Sequence, residues 1–190
     1  PRYGDHLDAH RRGTRLVEVG WTPTALHEWC ALGGVIGRLA GDYWQVPVIT
    51  GLDRVPGSDE MKHFGAAMAS FGSVALFHIE GVTPEADRLA ELFPAGAPAA
   101  TRVGAADARA LLDSYRQHGD AVDVVVFSAP QLSLVEMQAL ADLLDGRRVR
   151  VPLLAVTSPQ VKPDADRMGL TARIEAAGGS VLSGMCFYQS

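Results

Sequence analysis

Met61-Lys-His-Phe-Gly-Ala-Ala-Met-Ala-Ser-Phe-Gly-Ser-Val-Ala-Leu-Phe-His-Ile-Glu-Gly-Val-Thr-Pro-Glu-Ala86 carries a helix, a strand and a polar exit in one run. The first half is built from small residues (Gly65, Ala66, Ala67, Ala69, Ser70, Gly72, Ser73), and the apolar Val74 to Phe77 follows. The run then breaks at His78, Glu80, Thr83, Pro84 and Glu85. Small side chains let a neighbouring backbone or a ligand come close. A short apolar strand directly after a helix belongs to a parallel sheet buried on both faces. Its polar carboxyl end lies where open α/β sheets bind ligands. Two readings stay open, close helix packing with an ordinary strand exit, or a ligand site.

The same alternation continues along the chain. Apolar strands are expected at 14–20, 46–50, 74–78, 122–127 and 151–157, with a last one beginning at 181. Helices are expected at 24–39 (Thr22-Pro23 as cap and first turn), from Ser58 as N-cap, and at 106–118, 132–144 and 162–177. Asp145-Gly146 and Gly178-Gly179 close the last two. The expected fold class is α/β, two small three-layer β-α-β-α-β units with parallel sheets. The Pro/Gly/Ala-rich stretch 93–100 divides them, giving units 1–97 and 98–190.

Composition narrows the function classes. Apolar residues make up 47% of 190 residues and the net charge is −5, as in a globular protein. Arg147-Arg148-Val149-Arg150 is the sole basic run, which argues against nucleic acid as a partner. No apolar stretch is long enough to span a bilayer and no signal peptide is expected, so membrane partners are excluded. Two cysteines are too few for a disulfide framework and fit a reducing, cytoplasmic setting. Cys30, in an apolar helical context, reads as a small core residue, and Cys186, beyond a strand end, as the candidate reactive or metal-binding thiol.

Three further strand ends carry hydroxyl residues: Ser128-Ala129-Pro130-Gln131, Thr157-Ser158-Pro159-Gln160 and Ser183 to Cys186. Such residues cap the next helix. Where the cap donors face a ligand instead, the same helix starts bind a carboxylate or phosphate.

These residues also carry a resemblance. Arg2-Tyr-Gly-Asp5, Arg11-Arg12-Gly13, Leu32-Gly33-Gly34-Val-Ile-Gly37, Gly51-Leu52-Asp53 and Asp59-Glu-Met-Lys62 are similar, in order, to segments of the aconitase X family. The most specific match is the stretch from Gly65 to Ala86, and Ile174-Glu175-x-x-Gly178-Gly179 followed by Cys186 resembles the family's terminal segment. The resemblance covers essentially the whole chain and implies an aconitase-like fold. It implies a lyase (a dehydratase) that removes water from a small hydroxy acid such as cis-3-hydroxy-L-proline or mevalonate 5-phosphate. It further implies iron or an iron–sulfur cluster held by cysteines, and a smaller swivelling domain or subunit as partner. The family's N-terminal region and swivelling domain have no counterpart in these 190 residues.

Carried onto this sequence, the resemblance makes His78, Glu85 and Lys62 the catalytic candidates, with His78 or Glu85 as base and Lys62 holding a carboxylate. Gly65, Ala66, Ser70, Ser73, Thr83, Ser128, Thr157 and Ser158 are the candidate substrate contacts and Cys186 the metal ligand. Ala129 stands where the family has a cysteine, Pro159 where it has an arginine, and Gly184-Met185 where it has Asp-Thr. These departures support a second expectation, a degenerate binding or subunit-interface module of the same fold.

Overall fold

Val17, Val19, Ile49, Ile79 and Val103 point to one side of four neighbouring strands, and Leu16, Val48 and His78 to the other. The strands are β1 (Arg15–Val19), β2 (Pro47–Thr50), β3 (His78–Ile79) and β4 (Thr101–Val103), all parallel, in the order β3-β2-β1-β4. The computed structural model describes residues 10–86, 88–115, 119 and 121–185, which fall into two units, 1–116 and 117–190.

In the first unit, α1 (Leu26–Ala40) and α2 (Ser58–Gly72) cover the Val17/Ile49 side, where Trp29, Leu32, Ile36, Phe64 and Met68 are wholly buried. Each such side chain contributes about 1.5–3 kcal/mol of burial energy. α4 (Ala105–Asp113) joins them through Ala31, Ala108 and Leu111. The strand order reverses between β3 and β4, and a right-handed crossover then places the connection on the opposite face. The short α3 (Leu89–Leu92) fulfils this, closing Val48 with Ala86, Leu92 and Phe93.

The α1/α2 seam explains the small residues. A Cβ at Gly37 would stand 2.7 Å from the Met68 carbonyl oxygen, and Cβ atoms at Gly33 and Gly72 would overlap the carbonyls of Phe64 and Gly37. Within the small-residue run, Ala67 and Gly72 therefore serve a close contact between the two helices.

The second unit contains β5 (Val125–Leu132), α5 (Leu134–Leu143), β6 (Leu153–Thr157), α6 (Lys162–Arg167), α7 (Leu170–Ala176) and β7 (Ser180–Ser183). Its sheet is parallel with the order β5-β6-β7. Because the order is monotonic, right-handed crossovers put every helix on one face. α5, α6 and α7 accordingly pack on one another over Leu153, Ala155 and Val181. Val126, Leu154, Val156 and Leu182 lie on the opposite face, which no described helix of this unit covers.

Other expectations shift for identifiable reasons. The boundary expected near residue 97 lies after α4, because Thr101–Val103 pairs with β1. The run Val74 to Phe77 is an irregular approach to β3, with Val74 buried against the helices, and pairing begins only at His78. Gly57, not Ser58, is the N-cap of α2. The helix expected at 162–177 is broken by Gly169 at φ 73°.

Candidate functional site

Ligands of open parallel sheets bind beyond the carboxyl strand ends, foremost where the strand order reverses. In the first unit that place is between β1 and β4. The Gly20 amide donates to the Val103 carbonyl at 2.9 Å across it. Trp21 packs against both the sheet core and the Ala31/Ala108/Leu111 cluster. A backbone hydrogen bond and an indole thus occupy the reversal point.

The N-cap amides at these rims are each taken by a carboxylate of the same helix. Glu28 accepts from the Thr24 and Ala25 amides at 2.7 and 3.1 Å, Glu60 from Gly57 at 2.7 Å, Asp107 from Gly104 at 2.8 Å and Glu136 from Ser133 at 2.8 Å. All four described helices of nine or more residues therefore open on their own carboxylate three positions in. Each carboxylate takes the N-cap amide and lies at the positive dipole end, and only at Ser133 does a side chain also accept an amide of the first turn. The Arg54 guanidinium, paired with Glu60 at 2.7 Å and helped by the Gly57 amide, holds the Glu60 carboxyl down at about 2. Arg54 also lies over the Trp29 ring, 5.5 Å from its centroid, and donates to the Pro23 carbonyl. Backbone amides of Thr24 and Ala25 lower the Glu28 carboxyl likewise.

Two of the strand-end hydroxyls bond within the second unit, and neither is a side-chain cap of a described helix. Thr157, wholly buried, donates to the Leu132 carbonyl at 2.6 Å, and the Ser158 hydroxyl accepts from the Val161 amide at 3.2 Å. Ser128 is buried and engaged, and Ser183 is exposed.

The stretch 61–86 is not one site. Lys62 sits in the early turns of α2, 3.3 Å from Asp59. Ser70 and Ser73 are exposed at the far end of that helix, about 12–16 Å along its axis from Lys62 at 1.5 Å per residue. Gly65 faces the Phe77 ring, and Ala66 is half-buried. His78 is wholly buried, and its Nε2 donates to the Arg11 carbonyl at 2.7 Å, which fixes the proton on Nε2; Nδ1 has no partner. Thr83 closes the turn after β3 by accepting from the Ile79 amide at 3.0 Å. Glu85 pairs with the Arg11 guanidinium.

What the fold does bring together is Arg11, Gly13, His78 and Glu85. The segment 10–13 straps the α3 side of the sheet: the Gly13 amide donates to the Leu92 carbonyl at 3.0 Å, and a Cβ there would stand 2.5 Å from Val48 and 2.6 Å from Phe93. Two motifs far apart in sequence are thus one structural lock.

Sequence reasoning passed over a polar row on the same face. Arg102, Glu18 and Thr50 are direct register partners across β4, β1 and β2. Arg102 meets Glu18 at 3.3 Å through both Nε and Nη2, with side chains 82% and 45% exposed. The available signal was a charge inside the otherwise apolar Leu16-Val17-Glu18-Val19.

In the second unit, Gln131 Nε2 donates to the Met185 carbonyl at 3.0 Å, so the carboxyl end of β5 meets the residue before Cys186. Cys186 itself lies outside the described residues, and Cys30 is half-buried rather than a core residue, because it falls beside the Trp29/Leu32/Ile36 stripe. Among the described residues no three His, Cys, Asp or Glu side chains gather as a metal site, and Ala129 offers no donor. The described residues do not by themselves fit an iron centre. Open cavities of about 530 Å³ (Val122, Val149, Val151) and 120 Å³ (His10, Tyr43, Trp44) lie toward amino strand ends. No described helix is long and apolar enough to cross a membrane.

Residues 13–113 match the description "Aconitase X second domain" and residues 122–190 "Aconitase X third domain". The chain belongs to the aconitase X family. It is 37% identical to the phosphomevalonate dehydratase large subunit of Methanothermobacter thermautotrophicus, over 98% of this chain and 45% of that protein. It is also 37% identical to the cis-3-hydroxy-L-proline dehydratase of Pseudomonas aeruginosa, over 98% of this chain and 33% of that one. The holo-form crystal structure of Thermococcus kodakaraensis aconitase X superposes with a TM-score of 0.87 at 31% identity, covering 98% of this chain and 47% of that one. The chain therefore spans less than half the length of these aconitase X relatives.

Proposed function

We propose that this aconitase X chain is part of a hydro-lyase that dehydrates a small hydroxy acid such as cis-3-hydroxy-L-proline. The observation that carries the reading is the Gln131–Met185 hydrogen bond, which supports convergence of the β5 and β7 carboxyl ends at one rim. It joins the similarity to two kinds of dehydratase along nearly the whole chain.

Dehydration requires a base for the proton on one carbon and a way to release the hydroxyl from its neighbour as water. Of the three catalytic candidates, His78 is enclosed by the sheet, and its Nε2 proton is committed to the Arg11 carbonyl. Glu85 has a side chain 44% exposed and is held in place by Arg11, which makes it the base this chain offers. Lys62, 28% exposed, is the candidate for a substrate carboxylate. Cys186 is proposed as an iron ligand; any others would come from outside the described residues. A smaller swivelling domain or subunit is the proposed partner, in keeping with relatives named large subunits.

A second reading, a module that keeps the fold without chemistry, is favoured by Ala129 and by the structural engagement of His78, Thr83 and Thr157. Turnover of cis-3-hydroxy-L-proline and iron content of the complete protein separate the two. Turnover, with iron reduced by Cys186→Ala, supports the lyase. Absence of both turnover and iron supports the module.

A further inference from the structure

The Lys and Arg side chains of the second unit divide into two groups. Lys162, Arg167 and Arg173 each pair with an aspartate, Asp166, Asp164 and Asp142 in turn. Arg147, Arg148 and Arg150 are exposed and make no ion pair with any described residue, although Asp145 and Asp123 lie close in sequence. Between these arginines stands Val149, and Val151 follows. Both valines line an open cavity of about 530 Å³ together with Val122, Val125 and Leu153, and Arg150 stands on its lining. Val122 is 56% exposed and Val124, beside it, 41%. The groove lies at the amino ends of β5 and β6. At about 3.3 Å per residue it is about 20 Å along β5 from Gln131.

We propose that this groove docks an acidic segment of another polypeptide, whose aliphatic side chains fill the valine-lined cavity while its carboxylates take the three guanidiniums. The proposal stands apart from the hydro-lyase reading, because the groove is at the opposite end of the strands from the Gln131–Met185 contact. Charge decides the sign of the partner. A guanidinium presents the planar pair of donors that a carboxylate accepts, and here three of them lack a counter-charge in a chain of net charge −5. Shape and lining decide its class. An exposed apolar patch rimmed by polar groups is the mark of an interaction surface. Small-molecule sites enclose most of their ligand, whereas this cavity is open to solvent. Single-stranded nucleic acid calls for aromatic stacking platforms, and the lining is aliphatic. A bilayer would meet the arginines as a plane of headgroups and leave the concave valines unfilled. Side chains standing out from a polypeptide fill both parts at once.

The test titrates the complete protein, by fluorescence anisotropy, with a labelled peptide of about ten residues alternating glutamate and leucine. A glutamate–serine peptide of equal charge is the control for the apolar groove. Wild type is expected to bind the leucine peptide about tenfold or more tightly than the serine peptide, and to lose affinity as salt is raised. The triple variant Arg147→Glu/Arg148→Glu/Arg150→Glu should raise Kd about 10–100-fold, with Arg147→Gln/Arg148→Gln/Arg150→Gln falling between. Val122→Asp should abolish the preference for leucine. All four positions are exposed, so melting temperatures should stay near wild type; should the Glu variant not fold, the Gln variant decides. The proposal is overturned by a wild type that does not bind the leucine peptide, by equal Kd in wild type and folded variants, or by equal affinity for both peptides. Tighter binding of phosphatidylglycerol vesicles or of duplex DNA than of the leucine peptide overturns it as well.

Discussion

Replacing Gly37 by alanine tests whether the small residues serve helix packing or ligand approach. The new Cβ would stand 2.7 Å from the Met68 carbonyl oxygen, 3.1 Å from Met68 Cα and 3.3 Å from the Gly72 nitrogen. All three neighbours are backbone, so no side chain can turn aside, and α1 and α2 must part by roughly 0.7 Å to reach ordinary contact. Parting of that size forfeits a quarter to a half of the affected dispersion contacts, and overpacking of this kind costs about 1–3 kcal/mol. Alanine returns up to about 1 kcal/mol through helix propensity. The net expectation is a loss of about 1–2 kcal/mol, or about 4–10 °C in melting temperature for a unit this size. Gly65→Ala is the control. Its Cβ would lie 3.2 Å from the edge of the Phe77 ring, which can shift, so the propensity gain should leave stability equal or slightly higher. Thermal and urea unfolding of both variants measure the difference. Equal stabilities, or a Gly37→Ala protein as stable as wild type with substrate binding lost, would refute the packing argument.

Two further outcomes follow from the lock and the caps. Glu60 is held at about 2 against an ordinary 4.5, so its contribution is present above about 4.5 and is lost as pH falls through about 2. Discounted for the partial exposure of Arg54, that contribution is about 1–2 kcal/mol, and Glu60→Gln should flatten the acid limb of a stability–pH curve between those values; an unchanged limb would contradict it. His78→Leu leaves the Arg11 carbonyl without its donor, expected to cost about 1–2 kcal/mol in urea titrations while kcat per folded molecule holds. A kcat loss of about a hundredfold at unchanged stability would instead make His78 the base.

The parallel α/β class was legible because Val46 to Thr50 and Val151 to Thr157 are apolar and each is followed by a helix. β4 was hidden, since Thr101-Arg102-Val103 is three residues long and apolar at only one position. The Val74 to Phe77 run was apolar for burial rather than pairing, a distinction that periodicity cannot draw. At the site, residue type pointed to His78 and Glu85, yet both join the strap 67 and 74 residues earlier in the chain, a pairing only the tertiary fold reveals. The caps were half visible. Ser133 and Glu136 form a two-way box of a kind the sequence spells out, whereas Glu28 and Glu60 reach back to Ala25 and Gly57, which carry no side-chain acceptor.

The one-sided sheet of the second unit bears on how portable that piece of polypeptide is. Val126, Leu154 and Leu182, half-buried, and Val156, wholly buried, lie on a face without described helices of the unit's own. Branched aliphatics on a helix-free sheet face call for a cover of some kind, whereas the first unit carries α3 and the strap as its own second cover. Gene fusions and domain grafts would therefore tolerate borrowing the first unit, with both its covers in hand, more readily than the second.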